Sequence, residues 1–275
     1  MPELPEIETL VSSMKHAKIE GSHITNIEIF NKKMIGSPFP SSFEKLILNT
    51  RIDSIERKGK YIVFNLSNSY FLLVHLKMTG HFFLFDLPKN DEKHEHMKIY
   101  LDQQKVLSFF DTRKFGKIYL LKDPSFHFSR LGPDPLDPDF DYRMLISKIE
   151  KSSKKIKALL LDQSFLSGLG NIYVDEALWK SMINPKKCGK SLSKEEIKKL
   201  FEAIIKVLKQ GIKNKGTSLG KNSFNFSDVF KNFGNNQNHL NAYMQLKKPC
   251  SRCHTLITRE KIAQRSSYFC PKCQS

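Results

Sequence analysis

Apolar positions along the chain change their period twice. Ile7, Leu10, Val11 and Met14 fall at i, i+3, i+4 and i+7, one face of a helix, so the chain predicts a helix near its start. Pro5 suits a first turn, and Glu3, Glu6 and Glu8 suit the positive end of its dipole. The pattern then shortens. Residues 24–30, 61–66, 70–76, 81–85, 98–101, 106–110 and 117–121 are short runs rich in Ile, Val, Phe and Tyr, separated by Gly, Asn, Asp or charged turns. Seven such runs predict an antiparallel β-sandwich or barrel.

The second change comes at Leu131-Gly132-Pro133-Asp134-Pro135-Leu136-Asp137-Pro138-Asp139, which can continue neither sheet nor helix. It closes a first domain over 1–131 and predicts a linker over 132–140. Helical patterns follow at 142–151, 156–161, 171–181 and 193–213. The last is the clearest. Ser193 and Glu196 have capping-box spacing, and Ile197, Leu200, Phe201, Ile204 and Leu208 make a core-facing stripe. Residues 215–238 are polar and without period, which predicts a mobile loop inside a helical domain over 141–238, with residues 239–273 as a separate C-terminal module. The fold class expected is therefore α+β: a helix, a β-sandwich, a helical domain and a small C-terminal module.

Charge sharpens this division. The 275 residues carry a formal charge of +17, but residues 1–140 hold 19 Lys+Arg against 18 Asp+Glu, while residues 141–275 hold 26 against 10. A half so basic is an electrostatic footprint for a polyanion, most often nucleic acid, although a lysine-rich solubilising surface would look the same. No run reaches the ~18 apolar residues of a membrane span. The acidic start is unlike a signal peptide. Four of the five cysteines cluster at the end as Cys250-x2-Cys253-x16-Cys270-x2-Cys273. Paired knuckles at that spacing predict four thiolates around one structural Zn2+, with no open position for catalysis, in a reduced intracellular protein. Cys188 stands alone and reads as a small apolar filler.

The chain start also carries chemistry. If Met1 is removed, Pro2 becomes a free secondary amine. Such an amine titrates near ~8 and is partly neutral at cellular pH, so it can attack an electrophilic carbon and form an imine. Glu3 beside it could act as general acid or base. On composition alone, Pro2-Glu3 could equally just open a helix.

Taken together, six motifs resemble the formamidopyrimidine-DNA glycosylases, in the family's order across the whole chain. They are Pro2-Glu3-Leu4-Pro5-Glu6-Ile7-Glu8, Arg57-Lys58-Gly59-Lys60-Tyr61, His75-Leu76-Lys77-Met78-Thr79-Gly80, Asp111-Thr112-Arg113-Lys114-Phe115-Gly116, Gly168-Leu169-Gly170-Asn171-Ile172-Tyr173-Val174-Asp175-Glu176 and the four-cysteine finger. The resemblance implies a helix-two-turn-helix element in the helical domain and a zinc finger after it. It also implies a monomeric, nucleoid-associated enzyme acting on double-stranded DNA with oxidised bases or abasic sites. By the same resemblance, Pro2 is the Schiff-base nucleophile and Glu3 the proton donor. Lys60 looks like the β-elimination lysine, and Arg265 like the δ-elimination and phosphate residue. His94, Lys157 and Asn171 match DNA contacts. Met78, Arg113 and Phe115 match the trio filling the gap left by an extruded nucleotide, where an apolar wedge and a guanidinium replace lost stacking and pairing.

Each also has a plainer reading. Lys60 and Lys157 could be solvated charges, Met78 and Phe115 core residues, Asn171 a helix cap, and His94 is chosen over His96 by resemblance alone. The chain departs from the family at Tyr243-Met244-Gln245, where Tyr-Gly-Arg is common, and at Gly220, where a basic residue is usual. The expected activity is removal of 8-oxoguanine and formamidopyrimidines with β,δ-elimination. Two rivals stand beside it: an endonuclease VIII-like glycosylase for oxidised pyrimidines, which Leu4 disfavours, and a non-catalytic DNA-binding zinc-finger protein.

Overall fold

The protein is described by a computed structural model over residues 1–220 and 226–275. The chain forms two compact units, Met1–Phe128 with Asn214–Asn235, and Ser129–Lys213 with Asn236–Ser275.

In the first unit, α1 (Leu4–His16) is followed by β1 (Ile24–Ile29), β2 (Ile35–Ser37), α2 (Pro40–Ile47), β3 (Ile52–Lys58) and β4 (Tyr61–Leu66). Then come β5 (Phe71–His75), β6 (Gly80–Asp86), β7 (Glu95–Leu101), β8 (Lys105–Asp111), β9 (Lys117–Leu121) and the short α3 (Ser125–Phe128). The strands make two sheets, ordered β1-β7-β8-β6 and β2-β9-β5-β4-β3. Ile7, Leu10, Val11 and Met14 of α1 join Ile55, Phe64, Phe82 and Phe109 in one buried core. The expected sandwich is present. β2, α2, β3 and α3 were not anticipated, and β2 pairs with β9 in parallel, so the sandwich is not wholly antiparallel.

Turn chemistry fixes the corner that carries Lys60. β3 and β4 are joined by Gly59 and Lys60, with Gly59 at φ 57°, which suits glycine at the first turn position.

The second unit contains α4 (Tyr142–Ile149), α5 (Ile156–Leu161), α6 (Asn171–Ser181) and α7 (Lys194–Lys213), then a hairpin of β10 (Thr258–Ile262) and β11 (Arg265–Phe269). The Ser193–Glu196 capping box forms in both directions, at 3.1 and 2.8 Å. Residues 132–140 contain no helix or strand, yet they are bonded into this unit: Gly132 N–H donates to Gln163 O (2.8 Å), and Ser167 N–H donates to Pro133 O (3.0 Å).

The stretch 215–238 departs most from its sequence reading. Its described parts through Asn235 group with the first unit rather than the helical one. Thr217, Ser218, Phe226 and Val229 are buried, and Val229 O accepts from Leu84 N–H of β6 at 3.0 Å. Lys221 and the rest of 221–225 lie outside the described residues.

Candidate active site

The expected residues divide between the units. Pro2, Glu3, Lys60, Met78, His94, Arg113 and Phe115 lie in the first; Lys157, Asn171, Arg265 and the cysteines lie in the second.

In the first unit α1 begins at a reciprocal capping box. Glu3 is the N-cap, and its N–H donates to the Glu6 carboxylate at 2.8 Å. Glu6 also accepts from Thr217 N–H at 2.8 Å, tying the start of α1 to the segment after α7. Glu3, Glu6 and Lys60 are all buried. Burial lowers the pKa of the Met1 α-amine, one residue before Pro2; Glu3 and Glu6 oppose this, while Lys60 and Arg113 add to it. Two carboxylates, a lysine and an arginine thus surround the amine electrostatically. Glu6 and Thr217 were not singled out from sequence. The Glu3-x-x-Glu6 spacing was the available signal for Glu6.

A second group holds the turn that carries Arg113 and Phe115. The Asp111 carboxylate is fully buried and accepts from Gly116 N–H (2.7 Å), Arg113 N–H (3.1 Å) and the Thr79 hydroxyl. The turn between them is therefore pinned at both ends. Phe115 on it is 50% exposed, with the Arg113 guanidinium 4.8 Å from its ring centre. Met78 is half-buried. These two are not core residues. Of the neighbouring histidines, His96 is buried with Nε2 2.8 Å from Asp111 O, whereas His94 is half-buried. Half-buried His75 accepts at Nδ1 from Lys77 N–H at 3.0 Å. Burial, then the charges of Lys77 and Lys60, push its pKa down to about 3.

In the second unit Lys157, expected as a DNA contact, points into the protein. Its side chain is 0% exposed, and Nζ lies 2.6 Å from Asp175 and donates to Ser266 O at 3.0 Å. Asp175 in turn accepts from Tyr268 N–H at 3.0 Å. Burial pushes this carboxyl up to about 7, against the pull of Lys157 and Tyr268 N–H. Asn171 is the first residue of α6 rather than its cap, which is Gly170, and its Nδ2 donates to Ser266 O at 2.9 Å. Gly168 N–H is already held by Gln163 Oε1 at 3.0 Å. The pair and Asn171 therefore clamp the backbone of β11 beside Arg265. Arg265 itself is exposed, directly after a two-residue turn in which Ala263 and Gln264 take φ 49° and 60°.

The four clustered cysteines bring their sulfurs within 4.8 Å of one another, with Cys253–Cys270 at 3.5 Å and Cys250–Cys273 at 4.0 Å. Sulfurs ~2.3 Å from a tetrahedral zinc are ~3.8 Å apart, so the donor set fits one zinc ion. Thiols this close cannot all ionise alone. A hydrogen bond involving Thr255 helps pull Cys253 down to about 6, while Cys273 is pushed up to about 12 by its bond with Cys253. Cys188 lies apart, half-buried, its backbone bridged to Lys155.

An amine flanked by buried carboxylates on a β-sandwich, with a basic helical unit and a four-thiolate finger, defines a nucleic-acid-binding protein equipped for amine chemistry. The comparisons make this specific. The family models for the formamidopyrimidine-DNA glycosylase N-terminal domain, its H2TH domain and the zinc finger found in FPG and IleRS match residues 1–118, 131–223 and 247–275. A formamidopyrimidine-DNA glycosylase of Protochlamydia amoebophila is 38% identical over 274 residues, covering 100% of this chain and 99% of that one. A Lactococcus lactis FPG point mutant in complex with Fapy-dG-containing DNA superposes with a TM-score of 0.92 at 36% identity, covering 100% of both chains. The Lactococcus lactis Fpg complex with abasic-site DNA gives 0.91 at 36% identity over 99% of both. The chain belongs to the formamidopyrimidine-DNA glycosylase family.

Proposed function

We propose that this protein is an intracellular, nucleoid-associated base-excision-repair enzyme. It removes oxidised purines, 8-oxoguanine and formamidopyrimidines, from double-stranded DNA and then nicks the strand. After loss of Met1, the Pro2 amine attacks C1′ of the damaged nucleotide and the base leaves with a proton, for which Glu3 is the donor. The resulting imine acidifies the C2′ proton. Lys60 serves the β-elimination and Arg265 the δ-elimination, so the 3′ and then the 5′ phosphate depart. His94 and Asn171 serve as DNA contacts, and Met78, Arg113 and Phe115 fill the space of the extruded nucleotide. Zinc, held by Cys250, Cys253, Cys270 and Cys273, organises the finger that carries Arg265 and takes no part in bond cleavage.

The observation that carries this reading is the position of Pro2, buried directly before α1 and its capping-box carboxylates Glu3 and Glu6, in the same unit as the buried Lys60. Once Met1 is lost, that secondary amine titrates at about 8, so a fraction of it is neutral and nucleophilic at cellular pH. A base-release assay run in parallel on duplexes with 8-oxoguanine, formamidopyrimidine and oxidised thymine tests it. Release of the purine lesions ahead of oxidised thymine is expected. Preferential release of oxidised thymine would favour the pyrimidine-specific alternative, and no release at all a pure DNA binder.

A further inference from the structure

One face of β6 carries a row of rings with no part in the reaction described above. His81, Phe83 and Phe85 alternate with Phe82 and Leu84, which pack on the core. The His81 and Phe83 rings are stacked 5.8 Å apart with planes 9° from parallel, and Phe110 of β8 stands 5.4 Å from Phe83. Beside this row is a cavity of about 200 Å3, lined among others by Phe83, Phe110, Phe233, Glu92, Lys93 and Lys231. Phe233 is 50% exposed there. The Lys231 ammonium lies 5.4 Å from the Phe83 ring centre and 4.6 Å from that of Phe85.

Size and chemistry together select the occupant. The cavity, about 200 Å3, has room for one heterocycle. Phenylalanine walls stack on any flat ring. The charged groups choose among rings. Guanine offers O6 and N7 as adjacent acceptors, which suit the Lys93 and Lys231 ammoniums. Its N1–H and N2–H2 donors suit the Glu92 carboxylate. The cavity also adjoins loops that carry the expected DNA contacts. Lys93 precedes His94, whose carbonyl accepts from Asp111 N–H at 3.0 Å, and Phe110 precedes Asp111, which pins the Arg113–Phe115 turn.

We propose that this cavity is a second base site on the first unit, taking a purine with guanine's edge pattern, separate from the amine at the chain start. It rests on the activity proposed above only in that the occupant would be the freed base or an unpaired base of the bound strand.

Equilibrium dialysis with guanosine, 8-oxoguanosine and cytidine tests this, using full-length zinc-loaded protein whose attack site is filled by a duplex with a tetrahydrofuran abasic analogue. Both purine nucleosides should bind saturably, with cytidine at least fivefold weaker. Phe83→Ala and, separately, Lys231→Gln should each weaken guanosine by about fivefold or more, the low end of what stacking one base on an aromatic ring contributes. Both variants should still cleave abasic-site DNA at the unmodified rate, which shows that they fold. A second arm compares a five-nucleotide single strand carrying one 8-oxoguanine with the free nucleoside. Tighter strand binding assigns the site to a base in DNA, and tighter nucleoside binding to the released base. No saturable purine binding, or binding unchanged in both variants, would overturn the proposal. Intact base release without nucleoside binding would sink this site alone. Nucleoside binding without base release would sink the activity and leave the site standing.

Discussion

Replacing Lys157 by Met separates two readings of one lysine. A phosphate contact would lower the slope of log K for DNA against log salt by about 0.9, with little effect on folding. The geometry gives the opposite outcome. Nζ is 2.6 Å from Asp175 and 3.0 Å from Ser266 O, and the side chain is fully buried. Removing it leaves the Asp175 carboxyl with Tyr268 N–H and no cation, and pushes that carboxyl's pKa further up. Breaking a buried pair from one side costs about 3–5 kcal/mol. At the few degrees per kcal/mol typical of domains this size, that corresponds to a Tm lowered by on the order of 10 °C. Replacing both partners, Lys157→Met with Asp175→Leu, should cost less than Lys157→Met alone, because no charge is stranded. The assay is thermal unfolding with zinc present, followed by DNA binding of the folded variant across a salt series. An unchanged Tm together with a slope reduced by about 0.9 would refute the buried-pair account.

Three further outcomes follow from the geometry. His75 has its folded pKa, about 3, below its ordinary 6.5, so the unfolded chain takes up that proton first; its contribution is complete above pH 6.5 and is lost as pH falls towards 3, at about 1.4 kcal/mol per pH unit. Denaturant unfolding from pH 7 to 4 should show this slope, and His75→Asn should flatten it; an identical slope in the variant would remove the assignment. Trp179, the chain's one tryptophan, shares a buried cluster with Cys250 and Cys270 and has the Arg252 guanidinium 3.8 Å from its ring centre, so chelating zinc should shift its emission to the red and weaken DNA binding together; metal-free protein with unaltered emission would contradict the zinc assignment. Gly216→Ala should lower stability in denaturant unfolding by about 1–3 kcal/mol, since φ is +80° and a Cβ would meet Phe226 at 2.8 Å and Glu6 at 3.1 Å; an unchanged midpoint would show that this segment adapts freely.

What the sequence revealed depended on how strongly each residue's neighbours shared its pattern. α1 and α7 were legible because burial follows their apolar stripes, while α5 and α6 were legible as mainly apolar runs buried on nearly every side. β3 was not: Arg51, Asp53, Glu56, Arg57 and Lys58 surround its two buried isoleucines, Ile52 and Ile55, and a register shift between Ile52 and Ser54 breaks the period of two. The finger hairpin is largely polar because most of its residues face solvent. Lys157 carried a signal in its setting, Ile156-Lys157-Ala158-Leu159-Leu160-Leu161, where a lysine inside an apolar run needs a buried partner. Asp175 sits in a similar run, but only folding shows that the two meet. Thr217 had no local signal, since its bond to Glu6 spans 211 positions.

The central claim is that the α-amine of Pro2 is the nucleophile. It is tested most directly by trapping the protein on abasic-site DNA with borohydride and locating the adduct by peptide mass spectrometry. The adduct should lie on an N-terminal peptide that begins at Pro2, and protein with a blocked N-terminus should form none. Full trapping by the blocked protein, with the adduct on Lys60 or another lysine, would contradict the account.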